Sequence, residues 1–198
     1  IPYFERWIAK WPSVESLATA DPESVREAWS GLGYYRRCAL LLDGAKFVVK
    51  KFSARLPRTA AQLETIPGIG KYTAGAIASI AFGQRVPAVD GNVMRVISRL
   101  RGVAASVADK KAIDLFWRVA GHLVDEQQPG DWTQAMMELG TRELRRGGKL
   151  CRLLIAETQI RFSGATVCTQ QSPSCEQCPL REHCTAYALA TRSSSASS

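Results

Sequence analysis

The sequence predicts an all-α protein of many short helices, and three observations carry that reading. Apolar residues recur at three- and four-residue intervals along most of the chain. Helix-capping residues stand ahead of those runs at Ser13, Asp21, Thr59, Asp90, Asp109 and Asp131. No stretch alternates with period two for long enough to need a sheet.

Each element follows in order. Phe4, Trp7, Ile8 and Trp11 form the apolar stripe of a first amphipathic helix that ends near Pro12. Ser13 caps a short helix through Ala20. Asp21-Pro22 opens another, with aspartate as cap and proline in the first helical position. Gly31-Leu32-Gly33 breaks it, and a longer helix runs from Tyr34 to Phe52. Pro57 ends the connection, and Thr59 caps a helix reaching Ile66. Pro67-Gly68-Ile69-Gly70 is a tight turn, followed by a small-residue helix from Lys71 to Phe82. Asp90 begins a helix to Arg101, Asp109 one to Asp125, and Asp131 one to Leu139. The serine-rich tail Thr191–Ser198 reads as disordered.

With 198 residues the chain can bury a sizeable core in one large or two small domains. No apolar run approaches the length of a membrane span. The net charge of +8 suits a polyanionic partner. Half of it comes from Thr141–Gly164, which holds six cations against Glu143 and Glu157. Of the six cysteines, four crowd near the C-terminus, a pattern of metal ligation in a reducing compartment rather than a secreted disulfide scaffold. Cys38 and Cys151 read as ordinary thiols.

The turn at Pro67–Gly70 is the first segment that carries chemistry. Two glycines flanking Ile69 let the backbone turn tightly and expose bare amides beside a helix N-terminus. Such amides hold a phosphate oxygen, or a cation that bridges to one. Leu63, Ile66, Thr73 and Ile77 frame the turn, and Ile69 is expected to point inward and pin it. Downstream, Val89-Asp90-Gly91-Asn92-Val93 places a carboxylate as the cap of a helix N-terminus. Near the C-terminus, Cys168-x6-Cys175-x2-Cys178-x5-Cys184 gathers four thiols in a loop stiffened by Pro173 and Pro179. Zinc accepts four cysteines, but zinc knuckles more often pair two C-x2-C units, and here only the central pair has that spacing. Arg181 and His183 lie between the ligands, as phosphate contacts or as solvated loop charges.

Together these motifs resemble the helix–hairpin–helix DNA glycosylase superfamily. Thr73 to Gly83, Val89 to Val93, Gly31-Leu-Gly-Tyr-Tyr35 and Gln134-Ala-Met-Met-Glu-Leu-Gly140 are similar to its MutY-type adenine DNA glycosylases. The resemblance implies a two-domain helix–hairpin–helix glycosylase fold with an iron–sulfur cluster loop and the DNA cleft between the domains. The expected boundaries are 1–86 for the hairpin domain, 87–190 for the cluster domain and 191–198 for the tail. The implied activity is hydrolytic removal of adenine mispaired with 8-oxoguanine or guanine. Asp90 is then the catalytic aspartate, with Tyr72 and Asn92 in the catalytic set. Pro67, Gly68, Ile69, Gly70, Lys71 and Thr73 are the DNA-binding set, and Cys168, Cys175, Cys178 and Cys184 hold a [4Fe–4S] cluster. Superfamily members that also cut the strand carry a lysine where Tyr72 stands, so the resemblance points to a monofunctional enzyme rather than an endonuclease III-like glycosylase/lyase. The implied partner is duplex DNA with A:8-oxoG or A:G mispairs, bound by a monomer with no membrane association. The implied compartment is the nucleus, with the mitochondrion, for a eukaryotic chain, and the cytoplasm otherwise.

Two departures from the family stand out. Its catalytic glutamate and glutamine-rich wedge lie upstream of the segment resembling Ile1–Arg6, and its 8-oxoguanine recognition domain lies beyond the cluster loop. Neither Glu5 nor Glu15 matches the glutamate motif, so this stretch by itself is expected to show little or no excision; a DNA-binding product without chemistry is the alternative. The second departure is Thr141–Gly164, which separates Met137-Glu-Leu-Gly140 from Ala165-Thr-Val-Cys168 and reads as an insertion. An unspliced intron is the preferred origin, since Gly140-Thr141 can be encoded around a GT and Phe162-Ser163-Gly164 as a pyrimidine-rich tract ending in AG. An added DNA-binding loop is the alternative, given its positive charge.

Overall fold

A computed structural model describes residues 2–103, 109–140, 168 and 174–195 of the chain. Among them the secondary structure is helical throughout, without a strand. The chain divides into two compact units, Ile1–Ala74 and Gly75–Ser198. That division falls inside a helix, upstream of the expected boundary at 86/87.

The first unit contains α1 (Pro2–Lys10), α2 (Val14–Ala18), α3 (Pro22–Ala28), α4 (Tyr35–Phe52), α5 (Ala60–Leu63) and the start of α6 (Lys71–Phe82). The expected caps are made. Ser13 and Ser16 form a reciprocal capping box, Asp21 accepts from the Ser24 amide at 2.9 Å, and Thr59 accepts from the Gln62 amide at 3.4 Å. Gly31 and Gly33 both adopt positive φ, which is why α3 stops and the chain turns into α4. The core consists of Trp11, Leu17, Val25, Cys38, Leu42 and Ala45, with Trp7 and Trp29 edge-on beside them. The stripe expected on α1 is only half used: Trp7 and Trp11 turn inward, whereas Phe4 and Ile8 are 65% and 44% exposed.

The second unit contains the rest of α6, α7 (Gly91–Arg101), α8 (Lys110–Leu123), α9 (Pro129–Gly140), two short 3-10 turns and α10 (Thr185–Ser195). Asp90 and Asp109 cap α7 and α8 as the sequence implies. α9 starts two residues before Asp131, which lies in its first turn. Val89, Val93, Val96, Ile97, Ala112, Phe116, Ala120 and Met136 make the core. The small residues of α6 permit close approach. A Cβ on Gly75 would lie 2.2 Å from the Pro87 carbonyl oxygen, and Ser79 bonds Thr133 at 3.1 Å with both side chains buried. Of the tail expected at 191–198, the backbone through Ser195 is helical, and 196–198 lie outside the described residues. The insertion expected at 141–164 lies outside the described residues, as does Cys151.

Candidate functional site

In the first unit, the turn between α5 and α6 is built against α4. Leu63 and Ile66 are buried and anchor its entry, and the Ile69 amide donates to the Ile66 carbonyl at 3.0 Å. Gly68 has φ +84°, and a Cβ there would stand 2.8 Å from Leu40 Cβ. Both conformation and space therefore demand glycine. One turn along α4, Gly44 lets the Pro67 carbonyl oxygen come within 3.1 Å of where its Cβ would be. Pro67, Gly68, Gly70 and Lys71 are exposed, and Ile69 is half-buried, so the inward pin is partial. The Ala74 amide reaches the Gly70 carbonyl at 2.9 Å, the first such bond of α6. The amides of Lys71, Tyr72 and Thr73 stand in the first turn of α6, ahead of that bond. Tyr72 is 38% exposed and Thr73 half-buried.

In the second unit, Asp90 is held on both carboxylate oxygens. Oδ1 accepts from the Asn92 and Val93 amides at 2.9 Å each, and Oδ2 accepts from Asn92 Nδ2 at 2.8 Å. Asn92 is held in turn, because its Oδ1 accepts from Arg95 Nη1 at 3.2 Å. The same nitrogen donates to the Gly140 carbonyl at the end of α9. Gly140 lies flat on the first turn of α7, with an added Cβ only 2.6 Å from the Asn92 carbonyl oxygen. The arrangement is a fixed carboxylate at a helix N-terminus, the geometry that stabilises positive charge developing beside it.

The polar face of α7 continues to the cysteines. Arg99, one turn beyond Arg95, donates from Nη1 to Cys168 Sγ at 3.1 Å, and Cys184 Sγ lies 3.6 Å from the Arg99 carbonyl oxygen. Cys168 packs on the core and its amide meets the Leu139 carbonyl at 3.4 Å. Thr185 Oγ1 bonds the Leu100 carbonyl at 2.8 Å, and Gly102 with φ +62° leaves room for that threonine. Glu176 is clamped by Arg181 at 2.8 Å and Tyr187 at 3.0 Å, closing the loop between Cys175 and Cys184. Arg181 thus serves the loop itself.

Burial pushes the Cys178 thiol up, and the charges of Cys168, Cys184 and Cys175 add to it against a lowering hydrogen bond at Leu180. Burial also raises Cys175, with Cys184 and Cys168 adding and Arg99 opposing. The four cysteines therefore share one electrostatic neighbourhood. Among the described residues, no three His, Cys, Asp or Glu side chains are close enough to share a single ion.

Sequence reasoning missed Arg95, Arg99 and Gly140. The signal was there for the arginines: Asn92, Arg95 and Arg99 are spaced three and four apart, which puts them on one helical face.

The chain matches the family described as HhH-GPD superfamily base excision DNA repair protein over residues 1–121. It is 44% identical over 188 residues to an adenine DNA glycosylase of Mus musculus, covering 94% of this chain and 32% of that one. An adenine DNA glycosylase of Arabidopsis thaliana is 40% identical over 94% of this chain and 29% of its own. One from Mycolicibacterium smegmatis is 36% identical over 92% and 53%. The chain thus spans about a third of the length of the mammalian and plant relatives. A thermostable thymine-DNA glycosylase superposes with a TM-score of 0.76 at 23% identity, over 95% of this chain and 76% of that one. A non-covalent endonuclease III–DNA complex gives 0.70 at 21%, over 96% and 77%. These two likenesses are of fold. Among the described residues no helix is long and apolar enough to cross a membrane.

Proposed function

We propose that this chain, which belongs to the HhH-GPD superfamily of base excision DNA repair proteins, is the core of a glycosylase that removes adenine mispaired with 8-oxoguanine or guanine. The observation that carries this is the Asp90 carboxylate, fixed by two amides and the Asn92 side chain at the start of α7. Breaking an N-glycosidic bond builds positive charge on the sugar, and a carboxylate already oriented toward it lowers the barrier without reorganising. The nucleotide has first to leave the duplex stack. Asn92 orients Asp90. The turn Pro67-Gly68-Ile69-Gly70, with Lys71 and Thr73, grips the DNA backbone and carries no sequence information itself. The adenine specificity rests on the relatives, which are adenine DNA glycosylases.

Tyr72 has no amine with which to attack the sugar, so the reaction ends at an abasic site. Cys168, Cys175, Cys178 and Cys184 would hold a [4Fe–4S] cluster, one thiolate to each iron. Arg99 donates to the Cys168 sulfur, which would be the cluster's first thiolate. When bound, the cluster supplies a cross-link among four points of the second unit. The test of function is release of free adenine from a duplex containing A:8-oxoG, with an A:T duplex as control, using this chain extended to the length of its relatives. Adenine release from the mispair alone supports the reading, and release of another base contradicts it.

A further inference from the structure

The far end of α4 forms a surface that the glycosylase reading leaves unused. Between Gly44 and Leu63 the sequence has five cations, Lys46, Lys50, Lys51, Arg55 and Arg58, and no acid. Lys46, Lys50, Lys51 and Arg55 are exposed. Apolar groups are set among them: the half-buried rings of Phe47 and Phe52 meet edge-on at 6.2 Å, and Leu56 is 41% exposed. Lys51 Nζ lies over both rings, 5.1 Å from Phe47 and 5.8 Å from Phe52, which holds the ammonium in place. Ser53 and Ala54 then take left-handed φ of 51° and 60°. Bonds from the Ala54 amide to Val48 and from the Arg55 amide to Phe52 keep this turn against the helix end.

The cations extend along α4 beyond its contact with the hairpin in the same unit. Pro67 meets Gly44 and Gly68 meets Leu40, so the hairpin advances toward the start of α4. Lys50 and Lys51 lie further along the helix, roughly 9 Å or more beyond Gly44 at 1.5 Å per residue. We propose that Lys46, Lys50, Lys51 and Arg55, around Phe47, Phe52 and Leu56, are a docking surface for an acidic protein segment carrying apolar side chains. Charge complementarity selects the acid, and the cations steer it in. The rings and Leu56 select a protein over a DNA backbone, because phosphates offer nothing for them to bury, whereas aromatic and arginine anchors are what protein interfaces use.

Fluorescence anisotropy of this chain with a short labelled peptide of glutamates interrupted by leucine and phenylalanine tests the proposal. Binding is expected, weakening by about tenfold or more in Lys50→Glu/Lys51→Glu, and in Leu56→Ser. A polyglutamate of equal charge should bind less well than the mixed peptide. Lys50→Ala/Lys51→Ala, which leaves no new acid to disturb the fold, should shift the same way by less. Duplex affinity should stay within about twofold throughout, with the same salt dependence. Absent peptide binding, or binding that the substitutions leave alone, overturns the proposal. So does loss of duplex affinity with a flatter salt slope, which would make the surface a nucleic-acid contact. None of these outcomes bears on Asp90, so the glycosylase reading stands or falls separately.

Discussion

Gly140 lies directly against Asn92: a Cβ on Gly140 would stand 2.6 Å from the Asn92 carbonyl oxygen and 2.7 Å from its Cβ. The end of α9 is thereby locked onto the first turn of α7, and Arg95 closes the joint by donating to both residues. The proposed catalytic carboxylate inherits its position from this contact through Asn92.

Gly140→Ala should therefore destabilise the second unit by about 1–3 kcal/mol, the cost of overpacking a closed contact. It should also slow excision, because the backbone that gives way is the one holding Asp90. Urea denaturation and single-turnover rates measured together check this. Unchanged stability would mean that α9 can slide away freely.

Gly68→Ala meets two obstacles at once, a φ of +84° and the Leu40 side chain. Stability should fall by more than about 1 kcal/mol. Duplex affinity should fall with it, since the turn that presents the amides is deformed. Lys71→Ala separates the two effects: it should weaken binding without unfolding and reduce the salt slope by about one phosphate contact. Anisotropy titrations across a salt series read both.

The helices, their caps and the hairpin were readable in the sequence because each depends on neighbours in the chain: Asp21 on Ser24, Thr59 on Gln62, Asp90 on Asn92 and Val93. The Gly140–Asn92 contact was not, because it joins residues of α9 and α7 that no local pattern relates. The division at 74/75 has no mark in the sequence either, since α6 runs through it without a break. Phe4 and Ile8 fit an amphipathic stripe, yet periodicity alone does not say which part of a stripe is covered. Composition does not show that the backbone helix of α10 continues through Thr191–Ser195.

Cys178→Ser should lose bound iron, measured as metal per chain after aerobic purification. Arg99→Ala should keep the iron while changing how readily it is released to a chelator, since Arg99 meets the Cys168 sulfur without being a ligand. Full iron content in Cys178→Ser would remove that residue from the ligand set.

Cys38 supplies a prediction in pH. Burial among apolar neighbours raises its thiol, with Arg26 opposing. Below the ordinary thiol value of about 8.5 the group is neutral both folded and unfolded, and its contribution is complete. As pH rises above that value the unfolded thiol ionises first, so stability is lost toward the alkaline side. Urea denaturation of the wild type at neutral and alkaline pH should show a decline that is shallower in Cys38→Ala. Equal slopes would show that Cys38 ionises as readily in the fold as outside it.

The most direct measurement is the single-turnover excision rate on an A:8-oxoG duplex, in the chain extended to the length of its relatives, with Asp90 and with Asp90→Asn. Asparagine keeps one oxygen to accept from the α7 amides but removes the charge that opposes the developing positive sugar. The rate should fall by a factor of about a hundred or more, while duplex affinity changes little. Product from the unsubstituted enzyme should be an abasic strand that borohydride does not trap. An Asp90→Asn enzyme with near-normal excision would contradict the account, leaving Asp90 as a helix cap and nothing more.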